Sequence, residues 1–139
     1  MKQIIMKNNI KAIDSNILIY LHDKTDERKR KIAENILAEN PIIPSQVISE
    51  YLNVTKRILD LSKSELLEQC SKLINKCEII PINIKILSDA AILVDKYQFQ
   101  LFDSIIVASA LDRGCDQLLS EDMQNGLMID NLIIINPFV

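Results

Sequence analysis

"FDSIIVASALDRGCDQLLSEDMQNG", residues 102–126, reads as a helix, a short strand and a loop in succession. Small and branched apolar residues run from Ser104 to Leu111 and stop at Gly114, the residue type that ends helices in a left-handed conformation. "DQLLS" (116–120) then reads as a short buried strand, and "EDMQNG" as the loop beyond it. Five acids punctuate the stretch: Asp103, Asp112, Asp116, Glu121 and Asp122. Asp103 stands where the helix begins and Asp122 just past the strand. At both places an acid can cap structure or do chemistry.

The same alternation continues outward. "IKAID" (10–14) reads as a strand ending at Asp14, followed by a short helix in "SNILIYLHD". Residues 26–40 form a charged amphipathic helix, and Pro41 and Pro44 bracket a strand at Ile42 and Ile43. Ser45 opens a helix over 45–61, and Ser62 with Glu65 has capping-box spacing for the next, over 62–77. "EIIPI" (78–82) is a brief strand, 84–97 a helix, 103–114 a helix, and "NLIIIN" (131–136) a last strand. The β-rich segments are too short and apolar for hairpins. They imply an α/β chain whose parallel sheet is covered on both faces. Ligands then gather at the carboxyl ends of the strands, toward which Asp14 and Asp122 both point.

Composition narrows the function. A chain of 139 residues is one ordinary domain, and 48% hydrophobic content excludes disorder. Only 2 glycines and 4 prolines argue against a turn-rich β-sandwich, and 4% aromatics against a base-stacking platform. A net charge of -3 gives no global attraction to nucleic acid, so such contact needs local basic patches or metal ions. Cys70, Cys77 and Cys115 lack C-x-x-C spacing and read as small buried hydrophobes, Cys70 and Cys77 on one helix face. No secretory leader and no long apolar run stand out, which suits a reducing cytoplasm. The single His22 removes mechanisms that need two histidines.

The acids read ambiguously one by one. Asp14 precedes a helix and suits an N-cap, which does not exclude ligation. On the helix over 45–61, Val47, Tyr51, Val54, Ile58 and Leu61 form an apolar stripe. Glu50 and Arg57 lie about 60° to one side of it, with Asn53 slightly farther round. That flank also reads as a surface ion-pair face. Asp103 suits an N-cap, and Asp122 has a rival in Glu121. Together they place acids at strand ends and helix positions with no second histidine. Such a set provides the hard oxygen ligands that Mg²⁺ and Mn²⁺ require. "RKRK" (28–31) reads as a solvated helix face or an RNA-backbone contact, as do Lys56 and Arg57.

The ordered set "IDSNILIY" (13–20), "SQVISEYLNV" (45–54), "LFDSIIVASALDRGCDQLLSEDMQNG" (101–126) and "IINPF" (134–138) resembles the PIN-domain ribonucleases, most closely VapC-like toxins. The resemblance implies a three-layer α/β/α sandwich with a central parallel sheet, one PIN-like domain over 1–139. It carries an acidic site onto Asp14, Glu50, Asp103 and Asp122, choosing Asp122 over Glu121, and implies that these hold Mg²⁺ or Mn²⁺. Asn16 and Ser120 match polar positions of the same pocket, and Arg57 is a candidate RNA contact. Asn125 departs from a frequent histidine and Ser104 from a frequent alanine. The implied activity is metal-dependent endoribonuclease, the toxin of a toxin–antitoxin pair, with a cognate antitoxin, a homodimer and no membrane. Three alternatives stand beside it: a PIN-domain RNA-processing nuclease that is not a toxin, a non-catalytic module whose acids are structural, and an aspartyl phosphatase. The phosphatase lacks its second Asp, because Asn16 stands there.

Overall fold

A computed structural model describes residues 9–139. The first eight positions of the expected domain, where a secretory leader would begin, lie outside the described residues. The elements run β1 (Lys11–Ile13), α1 (Ser15–Tyr20), α2 (Glu27–Ala38), β2 (Ile43–Pro44), α3 (Ser45–Ile58), α4 (Lys63–Ile74), β3 (Ile79–Ile80), α5 (Ile84–Tyr97), α6 (Leu101–Arg113), β4 (Gln117–Leu119), β5 (Met128–Ile129) and β6 (Leu132–Ile135).

β1 pairs in parallel with β4, and β4 with β6. β2 pairs in parallel with β3. The two ladders meet at Ile42, whose N–H donates to Lys11 O at 2.9 Å while Ile13 N–H donates to Ile42 O at 3.2 Å. The resulting order is β3-β2-β1-β4-β6-β5. Adjacent strand residues point to opposite faces. Ala12 and Ile13 are both fully buried, as is Leu118, with Leu119 nearly so. Both faces are therefore covered, as a three-layer α/β/α sandwich requires.

One strand departs from the expected parallel sheet. β5 runs antiparallel to β6, Ile129 opposite Leu132, across the two-residue loop Asp130–Asn131. Asp130 has φ 51°, the left-handed backbone that such tight loops need and that Asp tolerates better than most. "Too short for a hairpin" was a misreading: the polar pair interrupts one apolar run and folds it back.

The helices also correct some boundaries. α3 is capped by Pro44 backbone geometry with no side-chain bond, not by Ser45. Ser45 Oγ instead accepts Ile82 N–H, tying α3 to the segment after β3. α3 ends at Ile58, because Leu59 is extended and Ser62 must leave helical geometry to cap α4. The Ser62–Glu65 capping box forms, with both reciprocal bonds. The buried face of α3 is Val47, Tyr51 and Thr55, whereas Ile58 is 57% exposed and Leu61 is also exposed. Thr55 can be buried because its hydroxyl donates to Tyr51 O at 2.8 Å. His22, just past α1, meets Tyr51 Oη of α3 at 2.6 Å.

α5 matches its expected span, and Cys70 and Cys115 lie in the core. Cys77 falls beyond α4 and is half-buried. All three thiols are free, and burial raises their pKa values, Cys115 to about 11. They behave as small hydrophobes. Among the described residues no helix is long and apolar enough to cross a membrane.

Gly114 closes α6 at φ 78° and turns the chain into β4. A Cβ there would meet nothing within 4 Å, so only backbone strain opposes a side chain. Gly114→Ala should therefore destabilise the protein by about 1 kcal/mol, and Gly114→Asn by less. Urea unfolding of the three proteins checks this. A clearly larger loss for Ala would mean that packing is also disturbed.

Candidate metal centre

Parallel register brings the first two site residues together. Ile13 lies opposite Leu119, so the next residues, Asp14 and Ser120, leave the sheet at the same edge. Asp14 N–H donates to Leu119 O at 2.9 Å and extends the pairing by one step. Asp14 is 3% exposed. Ser120 Oγ donates to Asp14 Oδ2 at 2.7 Å, and Ser15 N–H donates to Asp14 Oδ1 at 2.7 Å. Asp14 does cap α1, and the same carboxylate faces the crevice. Burial pushes its pKa up, the bonds from Ser120 and Ser15 oppose this, and the charge of Asp122 adds to the rise.

Ser120 is fully buried, and its hydroxyl oxygen also accepts Asp122 N–H at 3.2 Å and Met123 N–H at 3.3 Å. It positions Asp14 and shapes the loop. Asn16 works similarly. Its Nδ2 donates to Asp14 Oδ2 at 3.4 Å and Asp122 Oδ2 at 3.3 Å, and its Oδ1 accepts Glu121 N–H at 3.2 Å. One buried amide thus links the first turn of α1 to the loop after β4. Asp122 is exposed at the mouth.

Glu50 and Asp103 come from helices. Glu50 projects from α3. Burial is the main cause of its raised pKa, Ser15 and Gln46 lower it in part, and the charges of Asp14 and Asp122 add to the rise. Asp103 is not the N-cap of α6. The helix begins two residues earlier, capped by Gln100 backbone, and Asp103 lies in its first turn. A helix N-terminus favours a carboxylate. Burial and the charges of Asp14, Glu50 and Asp122 prevail, and its pKa is pushed up to about 6. The charges of the other three acids therefore all reach Asp103.

No Lys or Arg is among the groups that shift Asp14, Glu50 or Asp103. Among the described residues, no three His, Cys, Asp or Glu side chains are arranged as an ion shell. A hard divalent ion that retains several waters suits this all-oxygen set.

Glu121 has a different partner. Lys29 Nζ donates to Glu121 Oε2 at 2.6 Å, and Tyr20 Oη donates to Oε1. Burial tends to raise the Glu121 pKa, but these partners bring it below the usual value. The remaining "RKRK" cations are also engaged. Arg28 donates to Phe138 O at 2.7 Å, Arg30 to Asp23 O at 3.3 Å, and Lys31 pairs with Glu27 at 3.1 Å. The segment is neither a purely solvated face nor a free RNA contact. Arg57 is exposed and donates to Asn53 O of its own helix at 3.2 Å. Asn125 Oδ1 accepts Asn136 N–H at 2.8 Å, and Ser104 Oγ donates to Leu101 O at 2.6 Å, so both departures have structural roles. Ser15, Lys29 and Tyr20 were missed. The weak signals for them are the hydroxyl beside Asp14 and the basic residue on the helix after α1.

Fold comparison agrees with the geometry. A toxin–antitoxin complex from Klebsiella pneumoniae matches with TM-score 0.70 at 22% identity, over 91% of this chain and 97% of that one. VapC20 of Mycobacterium tuberculosis, a sarcin-ricin loop cleaving toxin, gives 0.65 at 13% identity, over 81% and 91%. VapBC2 from Rickettsia felis, bound to promoter DNA, gives 0.65 at 18% identity, over 90% and 96%. These identities establish likeness of fold. No curated protein sequence matches the chain. The PIN domain family profile matches residues 11–124, a span that includes all four acids, and the chain belongs to the PIN-domain family.

Proposed function

We propose that this protein is a metal-dependent endoribonuclease, a single domain over 1–139, acting as the toxin of a toxin–antitoxin pair. The observation that carries the reading is geometric: the buried Asn16 amide donates to both Asp14 and Asp122, and burial with the charges of Asp14, Glu50 and Asp122 raises the pKa of Asp103 to about 6. PIN-family membership supports a nuclease, and the toxin–antitoxin neighbours favour the toxin role.

Asp14, Glu50, Asp103 and Asp122 would hold Mg²⁺ or Mn²⁺. When bound, the ion supplies Lewis acidity toward the phosphate and an activated water. The chain's residues do the positioning. Ser120 and Ser15 fix both oxygens of Asp14, and Asn16 holds Asp14 and Asp122 at one spacing. Without positive charge the acids repel an RNA phosphate, so substrate entry is coupled to metal binding. Asn16 and Ser120 serve the substrate through the acids they orient. Arg57 remains an exposed candidate for the RNA backbone.

The partners are RNA, a cognate antitoxin and a second copy of the chain, in the cytoplasm and away from membranes. On α3, Tyr51 is wholly buried, whereas Ile58 is exposed and open to a partner. Co-purification of an antitoxin separates a toxin from an RNA-processing nuclease.

Two predictions follow from the acids. First, the purified protein should cut RNA with Mg²⁺ or Mn²⁺, and EDTA should abolish cleavage. Asp103→Asn should lower cleavage at least about 100-fold and shrink the rise in Tm that Mn²⁺ gives. Equal Mn²⁺ stabilisation of both proteins would remove Asp103 from the metal site. Second, the folded pKa of Asp103, about 6, lies above its ordinary value. The folded state then holds a proton that the unfolded state has released, so this group's stability contribution is lost as pH rises from about 4 to about 6. In EDTA, the Tm advantage of Asp103→Asn over wild type should grow across that window and level off above it. A constant difference would show that Asp103 titrates normally.

A further inference from the structure

Lys29 and Glu121 form an ion pair unlike the others among the described residues. Their side chains are 27% and 24% exposed, and in every other pair at least one partner is more exposed than either. Lys29 Nζ also donates to Tyr20 Oη at 3.1 Å, and it lies 4.9 Å from the Tyr20 ring centre and 5.6 Å from that of Phe138. Those rings meet edge to face at 4.8 Å. A cation so enclosed is held in place by hydrogen bonds and ring faces together.

The route from this pair to the acids is short. Glu121 N–H donates to Asn16 Oδ1, and the amide of Asn16 donates to both Asp14 and Asp122. Asp122 follows Glu121 directly in the chain. Resting on the nuclease reading above, we infer that Lys29 is a positioning residue for the metal centre, acting through Glu121. It fixes the loop after β4 so that Asn16 spans Asp14 and Asp122. It also neutralises the one acid of that loop that is not a proposed ligand. With Lys29 gone, Glu121 keeps only its bond from Tyr20 Oη on the side chain, and its charge stands unneutralised beside Asp122 and strains the backbone bond to Asn16.

The test is a double-mutant cycle on the full chain with Mn²⁺ as probe. Wild type, Lys29→Met, Lys29→Arg, Glu121→Gln and Lys29→Met/Glu121→Gln are compared. Readouts are Tm in EDTA, the Mn²⁺ concentration giving half the full rise in Tm, and kcat and KM for RNA cleavage. Lys29→Met should raise the half-saturating Mn²⁺ concentration about tenfold and lower kcat by a similar factor, the scale of losing an outer-shell partner. Lys29→Arg, which keeps the charge and the pairing, should stay within about threefold of wild type. Once Glu121 is Gln, adding Lys29→Met should change Mn²⁺ half-saturation little, since the two act as one unit. A lower Tm in EDTA with unchanged Mn²⁺ half-saturation would overturn the inference and leave a structural buttress. So would a rise in KM alone that persists in the Glu121→Gln background, which would mark a direct RNA contact. If wild type binds Mn²⁺ but does not cut RNA, the nuclease reading fails while the Mn²⁺ comparison still decides the role of Lys29.

Discussion

The site depends on one strand pairing. β1 and β4 run parallel in a register that ends both at the same level, and Asp14 and Ser120 emerge side by side although 106 residues separate them. A slip of one residue would send every side chain of the strand to the other face of a sheet buried on both sides. The hydrophobic pattern thus pins the register, and the register places the carboxylate. Burial of Asp14 then needs donors, and the two nearest are the Ser120 hydroxyl and the Ser15 amide. Asn16, in the first turn of α1, and Asp122, in the loop after β4, each stand two residues farther along the chain and meet across the same edge.

Charge is sorted around this edge. Asp14, Glu50 and Asp103 are raised by burial and by neighbouring acids, an arrangement that costs stability in the metal-free protein. Nearby cations are directed elsewhere: Lys29 to Glu121, Arg28 to the Phe138 carbonyl, Lys31 to Glu27. Two adjacent acids in the β4 loop therefore meet opposite environments. Glu121 is neutralised by Lys29, while exposed Asp122 accepts the Asn16 amide and adds its charge to that of the other acids. Local structure tolerates such like-charge crowding where a ligand relieves it, which is why conflicts of this kind concentrate at functional sites.

Several elements were legible because a local rule decides them. The Ser62–Glu65 box, the left-handed Gly114 and the span of α5 follow from residue types a few positions apart. Others were misread because tertiary contact overrode the local pattern. Thr55, polar by type, is buried in place of the expected Val54–Ile58 stripe, since its hydroxyl turns back onto its own helix. Asp103 looked like a helix start, yet α6 begins earlier on Leu101 and Phe102, whose exposure makes them poor markers of a boundary. The β5–β6 hairpin was hidden in a continuous apolar run.

By itself, the sequence determined the alternation of helices and strands and the burial of the sheet on both faces, while the choice of the four acids came from resemblance to a family. The first two rest on periodicity and on short-range residue chemistry, which survive without knowledge of neighbours. Only the tertiary structure decided which acid is neutralised, which hydroxyl holds Asp14, and that Asn16 joins α1 to the loop after β4. Those facts depend on contacts between residues about a hundred positions apart, such as Lys29 with Glu121, separated by 92. Residue type alone does not distinguish Glu121 from Asp122, although the family resemblance favours Asp122. The difference arises because α2, docked beside Tyr20 and Phe138, brings a cation to one of them and not to the other.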